Sequence, residues 1–402
     1  MKVLLVHNRY RSASPSGEDR VVDQEGEALI AAGHTVERFE RSSDEIQGRS
    51  MAGRALVPFQ LLWNNEARRS LTQTLRRYRP SVVHLHNTFP LLSASVLYAC
   101  RAEQVPVVAT IHNYRLVCPS GTLFRDGRVC HDCIGRLPLP GVRHGCYRDS
   151  VLATLPMAAA TVTHRTAWRT MVSAYVFISR AQRDIIAADG LPEDRLFVKP
   201  NLVPSVTSIR RAPSRRVVYA GRLTEEKGVP LLMEAWDRYM SGPEEGRLEL
   251  WVAGAGPVES KVADWAASRS SVRWLGKLSR HECAELIAGA RAVVVPSQWE
   301  ETFGLVAVEA MAAGVPSLAP AHGSFPELIN DGVDGVLFQP GNADALAGAL
   351  RDVQARPERY ERLGRSARAT YDHRFSPEAN LDELLRIYDF AVEHPAYTSS
   401  SL

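Results

Sequence analysis

Residues 299–316, WEETFGLVAVEAMAAGVP, set two carboxylates, Glu301 and Glu309, on either side of Phe303-Gly304-Leu305. The apolar run before them, 291–296 (RAVVVP), reads as a buried parallel strand, since a strand covered on both faces needs no polar alternation. After them, 306–313 reads as a helix that Gly314 ends and Pro316 keeps from resuming. Glu301 then falls in a strand-to-helix loop and Glu309 within the helix. The N–H groups of Phe303, Gly304 and Leu305 become the unpaired donors of a helix N-terminus, which suits an anion or a hydroxyl-rich ligand.

Working outward, a strand at 217–220 leads into Gly221-Arg222-Leu223-Thr224-Glu225-Glu226-Lys227-Gly228. Two cations five positions apart, in a glycine-bounded loop that opens a helix, suit a pyrophosphate: Arg222 as a fork-like partner and Lys227 as a point charge. A strand at 248–253 ends in the tight turn Gly254-Ala255-Gly256-Pro257, and one at 272–275 ends at Leu275. Glu327, after His322-Gly323-Ser324, either orients a ligand or is a plain helix N-terminal charge.

The first half opens as βαβ, with a strand at 3–6, a turn-rich loop (Ser12, Ser14, Pro15, Ser16, Gly17), a helix from 18 to 32 stopped by Gly33, and a strand at 34–39. Asn8 and Gly17 are the candidate ligand contacts of this loop. A strand at 81–85 carries His84 and His86 on one face, readable as a metal pair, a polar cleft lining or a strand-end cap. The strand at 105–111 delivers His112-Asn113-Tyr114 to the same edge. Cys118, Cys130, Cys133 and Cys146 then follow as C-x11-C-x2-C-x12-C within a Gly- and Pro-rich segment, 118–146. One C-x-x-C knuckle with two flanking cysteines fits a structural four-thiolate zinc site, with His131 or His144 as substitute ligands. Free thiols or an oxidised pair are the alternatives.

The wording E-x-F-G-L-x-x-x-E-A-M-A-x-G-x-P at 301–316, with G-R-L-x-x-x-K-G at 221–228, resembles the retaining glycosyltransferases of family 4 over nearly the whole chain. The resemblance implies the α/β GT-B fold: two Rossmann-like domains facing across an interdomain cleft, with the C-terminal helix returning to the N-terminal domain. The expected division is 1–204 plus 376–402, holding the 118–146 insertion on the acceptor side, and 205–375 for the nucleotide sugar. The implied reaction moves a sugar from a UDP- or GDP-sugar to a hydroxyl, on an acidic or lipid-linked acceptor among others. Arg222 and Lys227 would meet the pyrophosphate, Glu301 and the 303–305 amides the donor sugar, Glu309 the ribose, and His112 the transfer site. Gly17, Gly221, Gly256 and Leu275 would line the donor. No catalytic metal is expected, since no D-x-D pair lies near the phosphate loop. The chain departs from the family pattern at Gly17, where two adjacent glycines are usual, at Asn113 in place of Asp, and at His322 in place of a double glycine. A phosphorylase carrying pyridoxal phosphate and a non-catalytic sugar-nucleotide-binding or scaffold protein are the rival readings.

A length of 402 residues suits two α/β domains, and 45% hydrophobic with 23% charged residues is ordinary for a soluble globular chain. No apolar run reaches the ~18 residues of a membrane span, and the opening MKVLLVHNRY is too brief for a signal peptide. A cytoplasmic protein is expected, with its six cysteines as thiols or metal ligands. Residues 1–205 hold 26 Lys and Arg against 18 Asp and Glu, and the remainder 22 against 27. The basic half fits an acidic acceptor, peripheral contact with an anionic inner membrane face, or a merely solvated surface. Nothing suggests nucleic acid, because the Arg-rich 68–79 lacks interleaved aromatics.

Overall fold

The computed structural model describes residues 1–12, 16–205 and 214–397. Most of the expected linker, Ser14 and Pro15 of the first loop, and the SSSL tail lie outside the described residues. The chain forms two compact units: Met1–Leu123 with Cys130–Leu202 and Pro377–Leu402, and Val203–Ser376 with Phe124–Val129. The 118–146 insertion was expected wholly in the first domain, but its hairpin is grouped with the second unit.

The strands in chain order are β1 (Lys2–Arg9), β2 (Thr35–Ser42), β3 (Val82–Asn87), β4 (Val107–Ile111), the short hairpin β5 (Phe124–Arg125) and β6 (Arg128–Val129), β7 (Ala174–Phe177) and β8 (Leu196–Val198). The second unit contributes β9 (Arg216–Ala220), β10 (Glu249–Ala253), β11 (Val272–Trp274), β12 (Ala292–Val294), β13 (Ser317–Pro320) and β14 (Gly335–Phe338). The first sheet runs β2-β1-β3-β4-β7-β8, the second β11-β10-β9-β12-β13-β14, with every pairing in both parallel.

Period-two alternation divides the first unit's core between the two sheet faces. Leu4, Val6, Val83, Leu85, Val107, Ala109, Tyr175 and Phe177 pack on helices that include Asn65–Tyr78 and Ser95–Ala102. Their neighbours Val3, Leu5, Val82, Val108, Ala174 and Val176 face Val22 and Leu29 of the helix Gly17–Ala31, and Leu384, Ile387, Tyr388 and Ala391 of the helix Pro377–Glu393. The last helix is therefore part of the first unit's core, as the resemblance implied. The second core gathers Val217, Leu250, Val252, Ala292, Val294 and Leu318 with Trp236 and Tyr360. Among the described residues no helix is long and apolar enough to cross a membrane.

Candidate active site

In the second sheet the order reverses between β9 and β12, so the loops after these adjacent strands leave in opposite directions and open a crevice at their carboxyl ends. The loop after β9 carries Arg222 and Lys227, and the loop after β12 carries Ser297, Trp299 and Glu301. Glu301 is buried, and three donors converge on its Oε2: Lys227 Nζ at 2.7 Å, Ser297 Oγ at 2.9 Å and Trp299 Nε1 at 3.1 Å. Burial alone would raise the pKa of Glu301, but the Lys227 ammonium and the Ser297 and Trp299 donors hold it below the ordinary carboxylate range. Glu301 is thus a fixed anion rather than a proton carrier. Its partner Lys227 also lies 4.8 Å from the centre of the Trp299 ring and keeps 23% of its side chain exposed. Arg222 is 60% exposed, with only a loose 3.6 Å contact to Glu226. The site therefore offers a pinned ammonium and an open guanidinium on one loop.

Two glycines make this closeness possible. Gly228 has φ +73°, and a Cβ there would sit 1.8 Å from the Pro296 carbonyl oxygen, so only glycine lets the cation loop close on the loop after β12. Gly304, at φ +82°, precedes the helix Leu305–Ala312, and a Cβ there would strike the Phe325 ring at 2.7 Å. The amides of Phe303, Gly304 and Leu305 have no partner among the described residues, as a helix start requires. Glu309 lies half-buried within that helix. Gly221 and Leu275 already donate their N–H groups, to Ala253 O and Val252 O, and the Gly256 N–H faces Glu259 Oε2 at 3.4 Å. Any backbone contact that Gly221 or Leu275 makes to a ligand is therefore through a carbonyl. His322, an unexpected residue in this pattern, fixes the loop after β12 through Nε2 to Ser297 O, 2.9 Å.

In the first sheet the reversal falls between β1 and β3. Asn8 is correctly placed there but fully buried. Its Nδ2 donates to Arg9 O and Ser43 Oγ and its Oδ1 accepts from Leu91 N, so its side chain braces the surrounding loops. Gly17 is the first residue of its helix, capped by a Ser16–Asp19 box. Its neighbour Glu18, unremarked in the sequence, accepts from Asn113 Nδ2 at 2.9 Å, and burial raises its pKa. A carboxyl group thus reaches Asn113, in the loop after β4, from the helix Gly17–Ala31.

His112 is buried and stacked on His86, with His112 Nε2 3.0 Å from His86 Nδ1. Burial, then the charges of His7, His84 and Lys199, lowers its pKa well below the usual imidazole value, so it is neutral. His84, His86 and Glu25 bring ligand atoms within 4.8 Å of one another. The sequence offered no third ligand for the H-x-H pair; the fold supplies one but spends it. Lys199 Nζ already sits 2.7 Å from Glu25 Oε1, and both ring nitrogens of His84 are taken, by Tyr388 OH and Thr110 Oγ1, each at 2.7 Å. The Lys199 ammonium neutralises Glu25 through Oε1, while Glu25 Oε2 and His86 Nε2 lie 3.6 Å apart, buried and without a hydrogen-bond partner among the described residues.

His112, His86 and Arg115 line a pocket of about 950 Å³, its open mouth included, together with Leu61, Met157 and Trp168. The guanidinium of Arg115 lies 4.3 Å from the Phe89 ring, with its Nε and Nη1 buried and without a hydrogen-bond partner among the described residues. Of the four cysteines in the insertion, Cys118 and Cys133 are buried and Cys130 and Cys146 half-buried. Burial pushes the Cys133 thiol up to about 11, and Cys118, Cys146 and Cys130 are near enough to act on it.

Residues 15–205 match the family described as Glycosyltransferase Family 4, and residues 208–370 match Glycosyl transferases group 1. The glycogen synthase of Mycobacterium tuberculosis is 27% identical over 92% of this chain and 89% of its own length. Among solved structures, sucrose-phosphate synthase from Thermosynechococcus elongatus superposes with a TM-score of 0.72 at 18% identity, over 96% of this chain and 98% of that one. Anabaena HepE, solved in complex with UDP-glucose, superposes with a TM-score of 0.66 at 16% identity, over 97% and 99%. With matches to both halves and the GT-B fold in both solved neighbours, the chain belongs to glycosyltransferase family 4.

Proposed function

We propose that this chain transfers a glycosyl group from a nucleoside-diphosphate sugar to an acceptor hydroxyl with retention of configuration. The observation that carries the reading is Lys227 held 2.7 Å from buried, ionised Glu301 on the loop that also presents exposed Arg222. As the glycosidic bond lengthens, negative charge builds on the leaving phosphate, and a pinned ammonium beside an open guanidinium stabilises it without rearranging. The 303–305 amides and Glu301 receive donor hydroxyls, and Glu309 the ribose. The first unit's pocket takes the acceptor, with neutral His112 at one end as a hydrogen-bonding group. The unpartnered N–H groups of Arg115 favour an acceptor bearing an anionic group. UDP-glucose, bound in the Anabaena relative, is the first donor to try.

A thermal-shift panel of UDP, GDP and ADP with their sugar conjugates tests the donor half. One base should raise the melting temperature, and Arg222→Ala should remove the shift. Proton NMR of the product should then show the donor's anomeric configuration preserved. Donor binding without turnover on any acceptor or water would overturn the transferase reading in favour of a binding protein.

We also infer that Cys118, Cys130, Cys133 and Cys146 hold one structural zinc. What supports it is the cysteine spacing and a segment whose regular structure is only two two-residue strands and a five-residue helix.

A further inference from the structure

Ten of the fourteen large hydrophobic side chains exposed among the described residues fall in two short stretches of the first unit. Met51 and Phe59 come from the helices Met51–Ala55 and Val57–Leu62, and Leu56 and Trp63 are the residues that follow each. The others come from residues 137–162, the end of the cysteine insertion and the helix Val151–Thr163. These stretches form one surface, because the helices Val57–Leu62 and Leu139–Arg143 both pack against Val151–Thr163.

The helix Val151–Thr163 is the clearest part of it. It contains no charged residue, and Val151, Leu152, Leu155 and Val162 are exposed, Leu152 at 84%. At about 100° per residue those four fall within one arc of about 100°, while the buried Thr154, Met157 and Ala158 fall outside it. An ordinary surface helix puts polar residues outward; this one presents an apolar stripe to solvent. Around the stripe the charge has one sign. Residues 47–64 and 134–172 contain seven arginines and a single acid, Asp149. Arg54, Arg136, Arg143 and Arg148 are exposed and none is ion-paired among the described residues.

We propose that this face docks the protein on an anionic lipid bilayer, the apolar side chains entering the headgroup–acyl boundary and the arginines meeting lipid phosphates. Charge complementarity favours that occupant over a second copy of the chain, because two such faces would bring arginine against arginine with almost no acid to offset them. Docking also matters for the acceptor. Leu61 of one docking helix and Met157, Ala160 and Thr161 of another are walls of the pocket that holds His112. If that pocket is the acceptor site, as the proposed function has it, the acceptor hydroxyl belongs to an amphiphile presented at the membrane surface.

The docking is tested without any turnover assay, so its failure is distinguishable from failure of the transferase reading. The full chain is sedimented with phosphatidylcholine vesicles with and without phosphatidylglycerol. Binding should be at least about tenfold tighter with the anionic lipid and should weaken as salt rises. The double variant Phe59→Ser/Leu152→Ser should lose about tenfold with an unchanged melting temperature, since both side chains are exposed. Arg136→Ala/Arg143→Ala should lose the preference for anionic lipid while keeping the fold. Equal partitioning to both vesicles, or full binding by the Phe59/Leu152 variant, would overturn the proposal. So would a dimer that the same variant converts to a monomer, which would make the face a self-interface.

Discussion

At the scale of the residue, the decisive contact is Lys227 with Glu301. Glu301 is held ionised and buried against the Lys227 ammonium, and the test of its proposed place in the site is to remove its charge while keeping its shape. Glu301→Gln should lower kcat by about 10²-fold, the scale on which one preorganised electrostatic partner acts, with a stability loss of about 1–3 kcal/mol for the unpaired ammonium. Steady-state kinetics with the identified donor, alongside urea melts, separate the two effects; a wild-type kcat would remove Glu301 from the site. The sign of its pH behaviour is fixed by the same geometry. A carboxylate depressed in the folded state contributes its stability above the unfolded value near 4.3 and loses it as pH falls through the folded value. Glu301 should therefore give no acid limb above about pH 5. The two residues were each legible in the sequence from their motifs. Their contact was not, since 74 positions separate them and only the strand order that sets β9 beside β12 brings them together.

At the scale of the element, the helix Pro377–Glu393 shows why the first unit was less readable than the second. His84 and His86 looked like residues at a ligand-facing strand end. His84 is buried because Tyr388, 304 positions later, bonds and packs on it, close to the Lys199 ammonium that Asn380 and Glu25 hold, while His86 keeps a place in the pocket lining. No local periodicity in 81–87 announces a lid from the far end of the chain. Helix existence, by contrast, followed from pattern: the expected helices at 18–32 and 306–313 are Gly17–Ala31 and Leu305–Ala312. The cysteine insertion is the opposite case, a segment with pattern in its cysteines and almost none in its apolar residues. If zinc supplies the missing core, elemental analysis should find about one zinc per chain, and chelation should release four thiols to a thiol reagent and lower the melting temperature. Metal-free protein with four titratable thiols and an unchanged melt would show that the loop folds without it.

At the scale of the whole molecule, the two units carry separate cores and opposite sensitivities, and this yields a prediction for how the chain unfolds. All five histidines buried among the described residues, His7, His84, His86, His112 and His164, belong to the first unit. Burial lowers His84 to about 4 and holds His86 and His112 well below 6.5. The unfolded chain binds protons at these rings from about pH 6.5 downward while the folded unit does not, so stability is lost as pH falls; His84 alone accounts for about 2 kcal/mol between pH 6.5 and 5. Glu25 at 3.9 Å favours the protonated ring and the Lys199 ammonium opposes it, but burial outweighs both. Arg222 and Lys227, the cations proposed to meet the nucleotide, sit in the second unit, where a ligand at a hundred times its Kd adds about 2.7 kcal/mol. Calorimetry should therefore resolve two transitions. Lowering the pH from 7.5 to 5.5 should move one of them down, and the nucleotide that binds should move the other up by several degrees. His84→Gln should flatten the acid response of the first transition and leave the nucleotide response of the second unchanged. A single transition that acid and nucleotide both shift would mean that the two units unfold as one cooperative body, and the separate assignment of acid sensitivity and donor binding would fail with it.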